Sequence, residues 1–247
     1  DPLVKSISFW KEDEALVVLT YYATHPQSYY RTGVANPDFP GMARFLREVT
    51  HNGLRHVHFN GAGGDIGAGK YNDGSPETRQ VLAVRLAEGM AAAFEAAEKF
   101  SVTAEDLGWE TLPVALPVAL HLDEAKLLAQ LKDSAGLSDA VRNEVAKDLV
   151  WLRRCKAGDM IDLTCLRIGP ARILHMPGEL SVEYQLAAQR MRPDLFVAMA
   201  AYGEYAPGYI CLREHYAQGG YEASPGASKV SPEVEDVLMP AMRALLK

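Results

Sequence analysis

Short apolar runs alternate along the chain with longer segments in which apolar residues recur every three or four positions. The first pattern predicts strands and the second predicts helices. The predicted strands are 6–10, 15–22, 54–59, 161–168, 171–176 and 195–202, and 111–120 is an edge strand or extended segment because it contains two prolines. The predicted helices are 41–49, 76–99, 123–132, 138–153, 180–191 and one beginning at Pro232.

This order of elements predicts an α/β or α+β fold in which a mixed β-sheet is flanked by helices. We interpret residues 1–247 as a single catalytic-type domain. Because a strand pair begins within a few residues of Asp1, we expect that the N-terminal part of this domain is missing. The charged segment 120–158, whose two helices are joined at 134–136, is predicted to be a helical insertion.

Composition and charge narrow the class of protein. Of the 247 residues, 48% are hydrophobic and 23% are charged, which is typical of a globular domain with a sizeable core. The net charge of −7 without a basic cluster argues against a nucleic-acid partner. Cys155, Cys165 and Cys211 match no zinc or disulfide spacing, so we interpret them as buried thiols that could form one bridge at most.

The first candidate site lies just after a predicted strand, at Thr24-His25-Pro26. A histidine there can project into a cleft without disturbing the strand pairing, and it is a candidate metal ligand. Asp38 follows in a second loop. It could hold a ligand histidine in one tautomer, or it could cap the helix beginning near Gly41.

The second candidate site is the glycine-rich loop 60–74. Residues 64–70 fit the spacing of a phosphate-binding loop, but Tyr71 stands where such a loop needs Ser or Thr, so we reject nucleotide binding. The loop instead offers the carboxylate of Asp65. Its positions Asn60, Gly64 and Gly67 are candidate substrate contacts, with a tight strand-to-helix crossover as the alternative.

Two later segments offer a carboxylate and several phenols. Glu179 follows Pro177-Gly178 at the predicted start of a helix, where the helix dipole alone would explain it and where α/β sheets also collect active-site groups. A loop rich in tyrosine follows the last strand, with phenols that could bind a metal or donate to an oxyanion, or simply pack on the sheet. These tyrosines are Tyr202, Tyr205, Tyr209, Tyr216 and Tyr221.

The chemistry of these loops favours a borderline metal ion over a protein-only nucleophile. Imidazole, carboxylate and phenol groups suit zinc. No Gly-x-Ser-x-Gly elbow is present.

Three segments resemble the neutral (alkaline, non-lysosomal) ceramidases and their bacterial relatives, in the same order along the chain. They are YYATHPQSYYRTGVANPDFPGMAR, ILHMPGELSVEYQLAAQRMR and GYICLREHYAQGGYEAS. The resemblance covers roughly 5–100 and 160–230. It implies that His25, Glu179 and Tyr209 bind one zinc ion, that Tyr221 stabilises the oxyanion, and that a further histidine ligand comes from sequence upstream of this chain.

The resemblance implies zinc-dependent hydrolysis of the amide bond of ceramide or a related N-acyl lipid. The general base is left open between Asp38, Asp65 and a residue absent from this chain. It also implies a secreted or periplasmic protein with possible contact to a membrane surface. Two departures are Gly67, where the family has a serine, and the absence of room for a C-terminal immunoglobulin-like domain. The alternative hypothesis is a non-catalytic domain of the same fold that binds a lipid or sugar.

Overall fold

Two β-sheets that pack face to face form the framework of the fold, and the apolar cluster between them includes Tyr21 of one sheet and Ile173 and Ala198 of the other. The computed structural model describes residues 1–30, 32–133 and 136–247. In the first sheet the order is β1-β2-β3, with β1 antiparallel and β3 parallel to β2. These strands are β1 (Lys5–Lys11), β2 (Glu14–Tyr22) and β3 (Arg55–Asn60).

The second sheet has the order β4-β5-β6-β8, and its last pair is parallel. Its strands are β4 (Leu107–Val114), β5 (Ile161–Ile168), β6 (Ala171–His175) and β8 (Phe196–Ala200). The backbone N–H of Ala201, just past β8, donates to the carbonyl of Asn60 at the end of β3 over 3.0 Å. The ends of β3 and β8 are thereby held together, which brings loops from both sheets to one edge.

A two-stranded parallel ladder, β7 (Glu179–Leu180) with β9 (Tyr209–Ile210), extends from this edge. Seven α-helices are described, and α3 and α4 pack against each other. They are α1 (Asp38–Thr50), α2 (Pro76–Glu95), α3 (Glu124–Lys132), α4 (Asp139–Lys156), α5 (Val182–Met191), α6 (Arg213–Gln218) and α7 (Val234–Leu245).

The helices cover the sheets with separate apolar clusters. Under α1 and α2 the buried set includes Ala43, Leu86 and Met90. The largest cluster joins the second sheet to α5 and α7, with residues such as Leu174 and Met242 fully buried. Aliphatic side chains make up most of the buried surface on these faces. Polar side chains that are buried at the strand ends are therefore candidates for a functional site, because burying a polar group is costly unless it has a partner.

The observed elements confirm the predicted mixed fold with helices flanking the sheets. The prolines of 111–120 do mark an edge strand, but this strand begins at Leu107 and ends at Val114 because it pairs along the whole of β5. α2 ends at Glu95, four residues before its predicted end. The prediction that the tyrosine-rich segment after the last strand, residues 203–229, is one long loop is wrong in part, since this segment contains β9 and α6.

The charged segment 120–158 forms the predicted pair of helices, α3 and α4; residues 134 and 135 of their connection lie outside the described part of the chain. The pair packs onto the main core through Leu149 and Leu152. The three cysteines are free thiols, and burial raises the pKa of Cys165 and of Cys211 to about 11. Within the described residues, no helix has the length and apolar character needed to cross a bilayer.

Candidate metal centre

His25 is positioned by the loop that leaves β2. Its backbone N–H donates to the carbonyl of Ile66 over 2.7 Å, and its ring Nδ1 lies 3.3 Å from the same oxygen. A carbonyl can only accept, so Nδ1 carries a proton in this contact, and Nε2 is the ring nitrogen that a cation could take once the proton shared with Glu179 has left. The side chain is buried, and its Nε2 faces Glu179 and Tyr209.

Glu179 is positioned by the Pro177-Gly178 turn and by β-pairing rather than by a helix. Gly178 has φ of +58°, a conformation that glycine adopts without strain. Glu179 then forms β7, where its register partner in the parallel ladder is Tyr209. The prediction that Glu179 begins a helix is therefore wrong: Ser181 is the N-cap of α5. Register pairing sets the Glu179 and Tyr209 side chains side by side.

The three predicted ligands converge on one point. Nε2 of His25 lies 2.7 Å from Oε2 of Glu179 and 3.2 Å from the hydroxyl oxygen of Tyr209. The imidazole and phenol rings are stacked, with centroids 6.0 Å apart and planes inclined by 19°. Residues separated by up to 184 positions thus present one nitrogen and two oxygens to the same small volume.

A fourth side chain holds the carboxylate of Glu179 in place. The hydroxyl of Tyr205 donates to Oε1 of Glu179 over 2.6 Å, while Oε2 faces His25. The two carboxylate oxygens therefore have different tasks, one anchored and one directed at the convergence point. Outer-shell hydrogen bonds of this kind orient metal ligands in proteins.

The pKa values of these three side chains depend on burial and on the hydrogen bonds and charges of their neighbours. Burial disfavours protonation of His25, but the hydrogen bond and charge of Glu179 outweigh burial and raise the pKa of the imidazole. Burial likewise opposes ionisation of Glu179, but the bonds from His25 and Tyr205 outweigh it and lower the pKa of the carboxylate. Burial, followed by the charge of Glu179, raises the pKa of the Tyr209 phenol.

These donors fit a zinc ion. One imidazole nitrogen, one carboxylate oxygen and one phenol oxygen are the kinds of atom that zinc binds. Ligand atoms about 2.0–2.1 Å from a tetrahedral ion lie about 3.3 Å from one another. The 3.2 Å contact to Tyr209 already matches that spacing, and the 2.7 Å contact to Glu179 needs to open by only about half an ångström. The anchors on Ile66 and Tyr205 supply the outer shell.

Tyr221 lies beside this group, as the resemblance implied. Its ring meets the ring of Tyr209 edge to face, with centroids 5.7 Å apart, and it is exposed. Not all tyrosines of this segment belong to the candidate metal centre. Tyr216 is not in the site: its hydroxyl is bonded to Ser228 and to the backbone N–H of Cys211.

The glycine-rich loop brings the ligand-bearing segments together by close backbone approach. A Cβ on Gly63 would lie 2.6 Å from the backbone nitrogen of Thr24, and one on Gly64 would lie 2.4 Å from the carbonyl oxygen of Glu179. The Gly64 N–H donates to Leu180. Gly64 thus has a packing role whether or not it touches substrate. Gly67 is different, since a Cβ there would meet nothing closer than 3.8 Å.

The remaining positions of the loop have internal partners. Asn60 accepts from the Ala201 backbone, and the loop leads into a 3-10 turn (Gly69–Tyr71) instead of a phosphate-binding helix. Oδ1 of Asp65 accepts the Val182 N–H at the start of α5, over 2.8 Å. A helix N-terminus favours such a carboxylate.

Asp65 also belongs to a small group that the sequence did not reveal. One ligand atom each from Asp65, Glu183 and His215 lies within 4.8 Å of the other two. Burial raises the pKa of Glu183, and the neighbouring Asp65 adds to the rise. Glu183 and His215 lie within two of the segments that carry the resemblance, but only the tertiary structure brings their side chains to Asp65.

Asp38 does not orient His25. Its carboxylate accepts from the backbone N–H and hydroxyl of Ser28, from the N–H of Tyr29 and from the N–H of Phe39. The interpretation of Asp38 as the tautomer-setting group is wrong, because the Ile66 carbonyl takes that place. Asp38 instead fastens the loop after His25 to the start of α1.

The fold places this site in a known architecture. No protein-family model and no curated protein matches the sequence. The crystal structure of neutral ceramidase from Pseudomonas aeruginosa aligns with 95% of this chain and 44% of its own chain, with a TM-score of 0.63 and 16% identity. A ceramidase complexed with C2 aligns with 95% and 46%, with a TM-score of 0.65 and 14% identity.

The resemblance predicted from the three motifs is thus confirmed at the level of the fold. The chain spans less than half the length of these two structures. At this identity the likeness establishes the architecture and assigns no role to individual residues.

Proposed function

We propose that this chain forms the zinc-binding part of a hydrolase that cleaves the amide bond of ceramide or a related N-acyl lipid. One observation carries the proposal: the Nε2 atom of His25, with its other ring nitrogen anchored, lies within 3.2 Å of both a carboxylate oxygen of Glu179 and the hydroxyl of Tyr209. The likeness of the fold to ceramidases supports the choice of reaction.

In this proposal His25, Glu179 and Tyr209 hold the ion, and the resemblance implies one further histidine ligand besides these three. Zinc, when bound, would lower the pKa of a water molecule from about 15.7 towards 7 and polarise the scissile carbonyl. The chain's own residues orient the reactants. Ile66 and Tyr205 fix the ligand geometry, and Tyr221 donates to the oxyanion, an effect worth about 3 kcal/mol per donor in comparable sites.

Of the two carboxylates considered as the base, Asp38 is excluded from the proposal. Four hydrogen bonds to Ser28, Tyr29 and Phe39 occupy its oxygens. Asp65, whose Oδ1 accepts the Val182 N–H, is the candidate that the chain retains.

The test combines metal analysis with hydrolysis. Purified wild type, His25→Ala and Glu179→Ala are compared by elemental analysis after dialysis against zinc and by turnover of a fluorogenic N-acyl sphingoid substrate, with the exposed His121→Ala as the matched control. We expect wild type and His121→Ala to retain zinc, and the two ligand variants to lose at least about 100-fold in zinc affinity. Hydrolysis that persists without zinc in His25→Ala overturns the proposal, and chelator-insensitive lipid binding without turnover favours the non-catalytic alternative.

A further inference from the structure

Tyr202 has an unusual position beside the candidate metal centre. Its φ of +65° is left-handed, which bulky side chains rarely adopt. The ring of Tyr202 meets the ring of His25 edge to face, with centroids 6.3 Å apart and planes inclined by 89°. Strained backbone of this kind persists only where the surroundings over-determine it, and such strain concentrates at functional sites.

Hydrogen bonds on both sides of Tyr202 fix its backbone conformation. Three successive backbone N–H groups are fastened at 3.0 Å each: Ala201 to Asn60, Tyr202 to Gly178, and Gly203 to Met176. This clamp ties the end of β8 to the end of β3 and to the turn before Glu179. The phenol of Tyr202 is therefore held against the group by the same backbone that positions the ligands.

The hydroxyl of Tyr202 has no partner. It is shielded from solvent, and among the described residues nothing accepts its proton. Glu179 is close enough for its charge to add to the effect of burial in raising the pKa of this phenol, as is Asp65. Both oxygens of Glu179 are already engaged, Oε1 by Tyr205 and Oε2 by His25. A buried O–H donor without an acceptor is costly, and native structures retain one only for a reason.

We propose that the hydroxyl of Tyr202 is a hydrogen-bond donor for the acyl oxygen of the substrate bound at His25 and Glu179. This inference rests on the proposed function and adds a second phenol to the substrate-contacting residues. The ligand class is one with a carbonyl or carboxylate oxygen at the reaction centre: the N-acyl amide and the fatty acid released from it. When that oxygen is present, the donor gains the acceptor that the protein does not supply.

The proposal predicts that loss of the Tyr202 hydroxyl weakens substrate binding without lowering the stability of the protein. Tyr202→Phe removes a donor that is unsatisfied in the ligand-free protein, so its melting temperature should equal or exceed that of the wild type. Tyr216→Phe is the matched control, because that phenol is paired with Ser228 and the N–H of Cys211. Its loss should lower the melting temperature while the activity per folded molecule stays close to that of the wild type.

The experiment measures, for wild type and both variants, zinc content, melting temperature, the shift in melting temperature caused by octanoate, and the kinetics of an N-octanoyl sphingoid substrate. For Tyr202→Phe we expect unchanged zinc content, a reduced octanoate shift, and kcat/KM lowered about 10- to 100-fold. A lower melting temperature with a proportionate loss of every other quantity would mean a structural role and overturn the inference. Equal octanoate shifts and kinetics in wild type and Tyr202→Phe overturn it also.

These outcomes are separable from failure of the proposed function. A wild-type protein that retains no zinc overturns the proposed function, and this inference with it. A wild type that binds zinc and octanoate but releases no amine leaves the octanoate shift as the deciding measurement for Tyr202.

Discussion

Nε2 of His25 and Oε2 of Glu179 lie 2.7 Å apart although 154 positions separate them in the chain. Both side chains are buried, and they lie at the ends of different strands. Each is held by one further residue: the carbonyl of Ile66 accepts from the imidazole, and the hydroxyl of Tyr205 donates to the carboxylate. An arrangement that anchors the outer atom of both groups and leaves the inner atoms facing each other is suited to hold a cation between them.

The first prediction concerns Tyr205, which holds the carboxylate of Glu179 in place. Tyr205→Phe removes the 2.6 Å hydrogen bond to Oε1 of Glu179 and keeps the ring. Because Glu179 then rotates more freely, we expect zinc affinity to fall about 10- to 100-fold with little change in stability. Competition titration with a chromophoric chelator measures the affinity. Tyr71→Phe, at another exposed phenol, is the control, and equal affinities for the two variants would remove the anchoring role.

The second prediction concerns the glycine loop. Gly64→Ala places a Cβ 2.4 Å from the carbonyl oxygen of Glu179, which is backbone and cannot move aside cheaply. We expect the free energy of unfolding to fall by about 1–3 kcal/mol, together with weakened zinc binding. Gly67→Ala is the matched control, since its Cβ meets nothing closer than 3.8 Å. Urea unfolding checks both.

A related substitution tests the departure at Gly67. Gly67→Ser should fold with unchanged stability, because this position has room for a side chain. If the family's serine contacts the substrate headgroup, the same substitution should raise turnover of ceramide relative to other N-acyl lipids. Unchanged substrate preference would show that the hydroxyl is not what distinguishes this chain.

Asp38 carries the third prediction. Asp38→Ala leaves the N–H groups of Ser28, Tyr29 and Phe39 without their acceptor, so we expect a loss of about 2–4 kcal/mol in unfolding free energy. Asp139→Ala, at an exposed carboxylate in the first turn of α4, should cost well under half of that. Zinc bound per folded molecule should stay unchanged in Asp38→Ala. A selective loss of zinc at full stability would restore the earlier interpretation that Asp38 acts on the ligand histidine.

Acid sensitivity is the fourth prediction. Burial lowers the pKa of His56 and of His58 from 6.5 to about 4, and neither ring nitrogen of His56 has a partner among the described residues. The unfolded chain therefore takes up these protons first as the pH falls. Stability is complete above pH 6.5 and is lost between 6.5 and 4, by up to about 3 kcal/mol per histidine.

Urea unfolding at pH 7 and pH 4.5 measures this loss. His56→Met should flatten the dependence, because an apolar side chain of similar size has no proton to gain. His121→Gln, at an exposed position, should leave most of the slope in place. Equal slopes for wild type and His56→Met would mean that His56 does not contribute.

The sequence by itself determined most of the strands and helices, and it offered an imidazole, a carboxylate and several phenols next to predicted strands as candidate ligands. Alternation and helical periodicity are local properties, so β1, β2 and β5 and the helical pair α3 and α4 follow from them. The three motifs and their order also pointed to the observed architecture, and they singled out His25, Glu179 and Tyr209, whose side chains the structure brings together.

Local patterns failed where long-range pairing decides the outcome. Glu179 follows a turn and precedes helix-forming residues, so periodicity assigns it to the helix, but pairing with β9 makes it a strand residue. The same pairing converted part of an expected loop into β9. The start of β4 depended on its partner β5 rather than on its own prolines.

Only the tertiary structure decided which polar groups meet. The sequence offered only Asp38 as a partner for His25, because a backbone carbonyl such as that of Ile66 leaves no signature in the residue types. The glycines at 63 and 64 decide the geometry because only residues without a side chain allow the β2 and β7 segments to approach. The types and spacing of the side chains determine which chemical groups are available. The contacts that orient these groups depend on backbone atoms that packing brings together. A pattern of residue types does not reveal those contacts.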